Sequence, residues 1–320
     1  MNRRIESEGH NIVRRKSKFW FRLAICGLVL LIVAIGSIPA IRAIKIKETN
    51  SISISDVYDE WNKSNYQEVY DMTSGILLKS PFHNAALTLN GYSAFYIAVS
   101  QTDTVLAQNY IDEGINRLRL ASFSASKDTL PQIMYMLGKS YFYKNTLSSY
   151  HYYSDLAIKY LNLALEYGYE ADDIPEYLGL SYASLGMTQE SINAFTGALL
   201  VRESDILLLA IAEQYYKNQQ LSSAKAYLHR VSTETKDDTL KFKSQALLGQ
   251  IYLEEQNYPE AEKMFHLILE INPNYADAYY GLGVVYEQQK DLVKARAEWR
   301  KALRLDVNHQ NALKKMAEYK

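Results

Sequence analysis

Two short stretches of the chain combine residue types that could support catalysis. Gly281-Leu-Gly283 is similar to the start of a glycine-rich loop that holds a dinucleotide, but the third glycine of such a loop is missing. Gly179-Leu-Ser181-Tyr-Ala183 is loosely similar to the turn that presents a nucleophilic serine in hydrolases. Both chemistries need a turn between a strand and a helix, whereas both stretches lie inside predicted helices. We therefore expect neither phosphate binding nor serine catalysis from them.

Histidine and cysteine, the side chains best suited to transition metals, are sparse in this chain. The histidines are His10, His83, His151, His229, His266 and His309, and no two of them have the four-residue spacing of a helical zinc site. Cys26 is the sole cysteine, which excludes an intramolecular disulfide and any cysteine-rich metal site. The sequence thus predicts no catalytic residue, no metal and no cofactor, and indicates that the protein is not an enzyme.

The charge of the chain is unevenly distributed. The 320 residues have a formal net charge of −1, yet residues 1–22 contain seven basic and two acidic side chains. The remainder contains 28 basic and 34 acidic side chains, so the body of the protein is mildly acidic. An acidic body disfavours general binding of nucleic acid.

A 34-residue period organises the carboxyl-terminal part of the chain. Leu248-Gly249, Tyr252, Ala261, Phe265 and Pro273 correspond, 34 residues later, to Leu282-Gly283, Tyr286, Ala295, Trp299 and Val307. This pattern resembles the tetratricopeptide repeat (TPR), a helix–turn–helix unit of the same period. The resemblance implies stacked helical hairpins, and it implies that the protein acts by binding.

The spacing within one repeat also has a physical meaning. Leu248 and Tyr252 are four residues apart, so they lie on the same face of a helix. Gly249 lies in the middle of that helix, where glycine costs roughly 1 kcal/mol relative to alanine. This cost is reasonable if the second helix must approach closely, with the large Phe265 filling the space beside the glycine. One hairpin cannot bury such a face alone, so several must stack.

Less regular copies of the pattern extend upstream to residue 55. They are marked by Leu87 with Gly91, Leu137-Gly138, Leu178-Gly179 and Ile211-Ala212. Ser55-Asp56 is a predicted helix start, and the polar stretch from Asn145 to Ser154 is predicted to lengthen one turn. We predict an all-α protein in which residues 55–320 form a right-handed TPR solenoid of about seven hairpins. Its last helix, residues 310–320, has a polar outer face suited to capping the stack.

Residues 23–41 are predicted to form a transmembrane helix. The stretch contains 19 residues without a charge, and at about 1.5 Å per residue it is roughly 28 Å long, close to a ~30 Å hydrocarbon core. A basic tail, residues 1–22, precedes it, and residues 42–54 form a linker. The positive-inside rule then places the N-terminus in the cytoplasm and the repeats outside it, for example on the periplasmic side of a bacterial inner membrane. A cleaved signal peptide is the alternative, which the length of the segment disfavours.

The resemblance also implies where a partner binds, because the first helices of TPR hairpins line a concave groove that takes up a peptide or a helix. The side chains on that side of the first helices are Tyr92, Phe95, Tyr96, Tyr135, Lys139, Phe142, Tyr143, Glu176, Glu213, Tyr216 and Tyr280. Aromatic side chains provide large contact areas at a low entropy cost, so the amino-terminal half of the groove is the expected binding site. Alternatively, these rings only pack the hairpins together. Lys139 has no basic cluster around it, so we expect no clamp for a terminal carboxylate.

A tyrosine-rich insertion is the second candidate contact site. It contains Tyr150, Tyr152 and Tyr153, and exposed aromatic residues on a loop often mark interaction sites. Alternatively, they fold back over their own hairpin. Taken together, the sequence favours a membrane-anchored scaffold that binds a partner protein in its groove. The alternative is a ligand-sensing regulatory subunit of an envelope complex, for instance one that recognises a glycan.

Overall fold

The computed structural model describes residues 52–148 and 152–319, which form helices and turns without a β-strand. In chain order these helices are α1 (Ile54–Asn62), α2 (Tyr66–Lys79), α3 (Asn84–Ser100), α4 (Thr104–Ser122), α5 (Leu130–Leu147), α6 (Ser154–Glu166), α7 (Ile174–Ser184), α8 (Thr188–Val201), α9 (Asp205–Lys217), α10 (Leu221–Glu234), α11 (Asp238–Glu254), α12 (Tyr258–Ile271), α13 (Ala276–Gln288), α14 (Leu292–Leu305) and α15 (Gln310–Glu318). The predicted all-α repeat architecture is confirmed for this part of the chain.

The predicted membrane segment is not among the described residues. The basic tail (1–22), the predicted transmembrane helix (23–41) and most of the linker lie outside them. Of the helices that the structure describes, none combines the length and the apolar character needed to cross a bilayer.

The described residues divide into two compact units, one before and one after the boundary between Ala86 and Leu87. In the first unit, α1 and α2 pack as one hairpin, and Ser53 caps α1. Its hydroxyl accepts the backbone N–H of Asp56 at 3.2 Å, while the Asp56 carboxylate accepts the backbone N–H of Ser53 at 3.1 Å. The helix therefore begins at Ile54, and the prediction of a start at Ser55-Asp56 is wrong because Asp56 acts as the third residue of a capping box.

The second unit is a stack of hairpins. Within it, α5 packs on α6, α7 on α8, α9 on α10, α11 on α12 and α13 on α14, and each second helix also contacts the first helix of the next hairpin. First helices contact each other directly at α5–α7, α9–α11 and α11–α13. At these three places, neighbouring first helices therefore lie on the same side of the stack.

Glycines on the first helices allow the second helices to come close. A Cβ on Gly138 would lie 2.6 Å from Cγ of Leu161, and one on Gly249 would lie 2.7 Å from Cζ of Phe265. A Cβ on Gly283 would overlap the indole of Trp299, which is fully buried. The predicted close approach is thus confirmed, and it occurs at several levels of the stack.

The turns of four consecutive hairpins share a backbone conformation that the repeat pattern of the sequence does not predict. Gly186, Gln219, Gln256 and Lys290 follow α7, α9, α11 and α13, and all have positive φ, between 58° and 71°. Each stands two residues before the next helix. Because only the first of the four is a glycine, three of these turns hold a side chain in the left-handed region, which is uncommon for such residues.

Two further features differ from the predicted boundaries or add to them. Helix α5 continues to Leu147, so Asn145 lies within a helix and is buried, whereas it was expected to begin a loop. The terminal helix α15 is capped by His309, whose ring accepts the backbone N–H of Ala312 at 3.2 Å. The other ring nitrogen of His309 is 2.9 Å from the carboxylate of Asp277 at the start of α13. This single side chain therefore joins the last helix to the hairpin before it.

Replacing Gly283 with alanine should lower the free energy of unfolding. The added methyl group overlaps the Trp299 indole, and overpacking a core costs typically about 1–3 kcal/mol. Gly197 in α8 is a matched control, because a Cβ there meets its nearest neighbour, Cβ of Pro175, at 3.8 Å. Gly197→Ala should be neutral or should stabilise by up to ~1 kcal/mol through helix propensity. Urea unfolding followed by circular dichroism measures both, and equal losses would contradict the close-approach role.

Candidate functional site

Aromatic side chains from three consecutive first helices form a continuous surface. Phe95 of α3 lies edge to face with Tyr143 of α5, with ring centroids 5.3 Å apart. Phe142 of α5 meets Tyr177 of α7 at 4.9 Å, and Tyr96 lies 5.4 Å from Phe95. Edge-to-face pairs of this kind are attractive beyond the area they bury. We call these five residues the aromatic surface.

The members of the aromatic surface differ in how much of each side chain is covered. Phe95 is 3% exposed and supports the others from beneath, whereas Tyr96, Phe142, Tyr143 and Tyr177 are half-buried. Packing between hairpins, the alternative explanation for these residues, accounts for Phe95. It does not account for Tyr96, Phe142, Tyr143 and Tyr177, because part of each of these rings remains exposed at the surface.

Lys139 lies in the middle of this region, and its charge is compensated within the protein. Its ammonium group is 2.9 Å from the Asp173 carboxylate and 3.0 Å from the Tyr135 hydroxyl, which itself donates to Asp173 at 2.7 Å. The ammonium also lies over the rings of Tyr135 and Tyr177, 4.9 Å and 5.1 Å from their centroids. Burial, followed by the bond to Asp173, raises the pKa of Tyr135 well above its usual range.

Sequence reasoning did not identify Asp173 and Tyr177. Asp173 occupies the N-cap position of α7 but makes no capping bond there, because its carboxylate points to Lys139 and Tyr135. Tyr177 directly precedes the Leu178-Gly179 pair, a position that indicates a packing residue. No local signal in the sequence distinguishes either residue from its neighbours, because their partners are supplied by α5.

The carboxyl-terminal first helices carry a polar network instead of aromatic contacts. Tyr216 of α9 donates a hydrogen bond to the carboxylate of Glu254 on α11, and Gln250 donates to the Tyr216 hydroxyl at 2.6 Å. Burial and the adjacent Glu254 carboxylate raise the pKa of Tyr216 to about 12. Tyr216 therefore links two first helices rather than standing open to a ligand.

The remaining predicted groove residues are dispersed along the stack. Glu176 of α7 is 3.6 Å from Arg202, and Glu213 of α9 is exposed. Tyr280 of α13 is half-buried, with its ring 5.2 Å from that of His309. Tyr92 on α3 is also half-buried. The structure thus joins Phe95, Tyr96, Tyr135, Lys139, Phe142 and Tyr143 into one cluster, whereas Glu213, Tyr216 and Tyr280 lie on later hairpins.

The two described tyrosines of the insertion behave differently. Tyr153 folds back over its own hairpin, because its ring lies 4.5 Å from the ammonium of Lys144 and its backbone N–H donates to Asn145 at 3.1 Å. Tyr152 is 76% exposed. Tyr150 lies outside the described residues. Of the predicted loop contacts, Tyr152 therefore offers the larger surface to a partner.

The two catalytic-looking stretches lie inside helices, as expected. Gly281-Leu-Gly283 is part of α13, and the segment from Gly179 to Ala183 is part of α7. Within residues 52–148 and 152–319, no three histidine, cysteine, aspartate or glutamate side chains are arranged to hold a metal ion.

Comparisons with known proteins agree with the helical-repeat fold. The family model described as the Tetratricopeptide repeat protein 21 C-terminal ARM domain matches residues 170–316, just under half of the chain. Protein Ycf37 of Pyropia yezoensis is 39% identical over 66 residues, a match that spans 21% of this chain and 37% of that protein. This chain therefore covers well under half of that relative's length.

A solved structure with the same fold covers most of the chain. The C-terminal part of a TPR repeat-containing protein from Cytophaga hutchinsonii has a TM-score of 0.55 at 16% identity, covering 82% of this chain and 98% of that one. YrrB, described as a TPR protein with an unusual peptide-binding site, has a TM-score of 0.44 at 26% identity, covering 56% of this chain and 91% of that one. The chain is a TPR-like repeat protein.

The Lys139–Asp173 pair should be energetically coupled, because a lysine side chain that is 13% exposed loses its counter-charge when Asp173 is removed. Asp173→Ala and Lys139→Met, combined in a double-mutant cycle, should show a coupling energy of about 0.5–3 kcal/mol in urea unfolding. The exposed neighbour Asp172 is the control, and Asp172→Ala should show no coupling with Lys139→Met. A coupling near zero for Asp173 would mean that the pair contributes no stability.

Proposed function

We propose that this protein is an interaction scaffold that holds a segment of a partner protein against the aromatic surface on α3, α5 and α7. The carrying observation is that Phe142, Tyr143 and Tyr177 pack against each other and Tyr96 packs against Phe95, while part of each of these four rings remains exposed. Rings that neighbours already hold in place lose little entropy when a partner covers them. Tyrosine also offers a hydroxyl at the edge of its apolar ring, which suits a mixed polar and apolar partner.

The TPR-like fold supports this proposal. A stack of hairpins presents its first helices as one extended surface, and proteins built in this way use such surfaces for binding. The polar bonds from Tyr216 to Glu254 and from Lys315 to Glu287 link neighbouring carboxyl-terminal elements to each other. We infer that the carboxyl-terminal hairpins are framework and the amino-terminal hairpins of the second unit are the binding region.

We further propose that residues 23–41 anchor the protein in a membrane, with the repeats on the extracytoplasmic side. The support is the run of 19 uncharged residues and the excess of basic side chains before it. A tether would confine the scaffold to the membrane surface and raise its effective concentration toward partners located there.

Site-specific photo-crosslinking tests the binding surface. We expect p-benzoylphenylalanine at Tyr143 or Leu180, on first helices, to form adducts with one partner in native cells. The same probe at Leu165 of α6 or Leu200 of α8 is the control, since both side chains are exposed on second helices. Adducts would be identified by mass spectrometry. The same adduct from the second-helix positions, with none from the first-helix positions, would contradict the proposed surface.

Reporter fusions test the proposed topology. Alkaline phosphatase fused after Lys320 should be active and a cytoplasmic fluorescent protein fused there should be dark, because the repeats are proposed to lie outside the cytoplasm. Fusions of both reporters directly after Arg22 serve as the control and should give the opposite pattern. Fluorescence with no phosphatase activity at Lys320 would overturn the topology and leave the binding surface unaffected.

A further inference from the structure

A recess of about 420 Å³ adjoins the aromatic surface between α5 and α7. It is lined by Phe142, Asn145 and Thr146 of α5, Ser154 at the start of α6, and Leu180 and Ser184 of α7. Its exposed surface is mostly apolar, and Leu180 remains 37% exposed. The volume falls within the ~300–1,000 Å³ range of ligand pockets, toward the lower end.

The polar side chains that line the recess all have partners within the protein. The hydroxyls of Ser154 and Ser184 are hydrogen-bonded to each other at 2.9 Å. The Thr146 hydroxyl donates to the backbone oxygen of Tyr143 at 2.8 Å, and the Asn145 side chain accepts the backbone N–H of Tyr153 at 3.1 Å. An apolar group can therefore enter the recess without breaking any of these hydrogen bonds. A broken hydrogen bond is the usual penalty when an apolar group covers a polar one.

The walls of the recess are held in place. Phe142 is fixed by its edge-to-face contact with Tyr177, and the serine pair joins the start of α6 to the end of α7. A recess whose walls are already ordered binds an apolar side chain with little loss of conformational entropy.

The charge beside the recess is negative. Glu176 lies one helical turn before Leu180 on α7, so the two side chains share a face at a separation of about 5–6 Å. Arg202, the ion partner of Glu176, is 3.6 Å away and 78% exposed, an arrangement that contributes little energy. Lys139 and Lys144, the lysines of α5, are paired with Asp173 and Asp112. Of these charged side chains of α5 and α7, the carboxylate of Glu176 is thus the one whose ion pair contributes least, and a partner cation can still compensate it.

We propose that this recess anchors a partner segment in which one large apolar side chain stands next to a lysine or arginine. The apolar side chain enters between Phe142 and Leu180, and the cation meets Glu176. A separation of about 5–6 Å corresponds to two residues of an extended chain or one turn of a helix. The inference rests on the proposed function and adds to it the chemistry of the partner.

Selection from a phage-displayed library of random 12-residue peptides on the immobilised full-length protein tests the inference. Selected peptides should be enriched in Leu, Phe, Trp or Met with Lys or Arg within two or at four positions, and depleted in Asp and Glu. Leu180→Trp, which fills the recess, should weaken a selected peptide at least about tenfold, measured by fluorescence anisotropy. Leu200→Trp, which adds the same side chain at an exposed position of α8, should leave binding unchanged.

A second set of variants uses the same peptides to test the proposed ion pair between Glu176 and the partner's cation. Glu176→Gln should weaken a lysine-containing peptide several-fold and have no effect on a version with norleucine in place of lysine. Glu270→Gln, at an exposed carboxylate of α12, is the control and should change neither. Circular dichroism confirms that each variant is folded before its affinity is interpreted.

The outcomes separate the inference from the function on which it rests. Peptides that bind equally to wild type and Leu180→Trp but are lost in Tyr96→Ala would overturn the recess and retain the aromatic surface. Enrichment of acidic peptides would overturn the proposed cation. A library that yields no peptide would count against both proposals. Sedimentation velocity tests whether the protein self-associates. If it does, and Leu180→Trp abolishes the self-association, the recess binds a second copy of the chain, which would overturn the proposed partner segment.

Discussion

The close contact between a glycine on a first helix and a large side chain on its second helix, repeated at α5, α7, α11 and α13, is the constraint on which the second unit depends. Gly138 receives Leu161, Gly179 receives Phe195 and Gly283 receives Trp299. Glycine within a helix costs roughly 1 kcal/mol, and burying a large apolar side chain contributes about 1.5–3 kcal/mol. The burial of the large side chain offsets the cost of the glycine only when the two helices are in contact. One flank of the first helix therefore packs against the second helix of its hairpin. The side chains on the opposite flank are not needed for this packing.

The side chains on that opposite flank change from aromatic to polar along the stack. On α3 and α5 it carries aromatic rings: the contact of Phe95 with Tyr143 joins neighbouring hairpins, and Tyr96 and Tyr143 stay partly open to solvent. On α9 and α11 it carries hydrogen bonds such as that of Tyr216 with Glu254, which uses the polar groups internally. In the proposed function, the irregular hairpins therefore provide the surface for a partner and the regular ones serve as framework.

The pairing of polar groups in the proposed binding region favours some partners over others. Asp173 gives up a capping bond on its own helix and compensates Lys139 instead, so a partner carboxylate meets no uncompensated cation there. The recess beside it has hydrogen-bonded polar atoms and an apolar wall. In the proposed interaction, Glu176 would repel anions, and the cost of leaving polar groups unpaired would favour apolar groups.

The sequence by itself determined the architecture of the described residues: the 34-residue period and the Leu–Gly pairs predicted stacked hairpins and the close approach of Phe265 and its equivalents. Periodicity reports which face of a helix a residue occupies, and for that reason it also located most of the aromatic cluster. Only the tertiary structure decided that Phe95 is covered while its neighbours remain half-exposed, and that Asp173 reaches across to Lys139. Those outcomes depend on side chains from other hairpins, and the spacing within one repeat contains no information about how far a distant helix covers a residue.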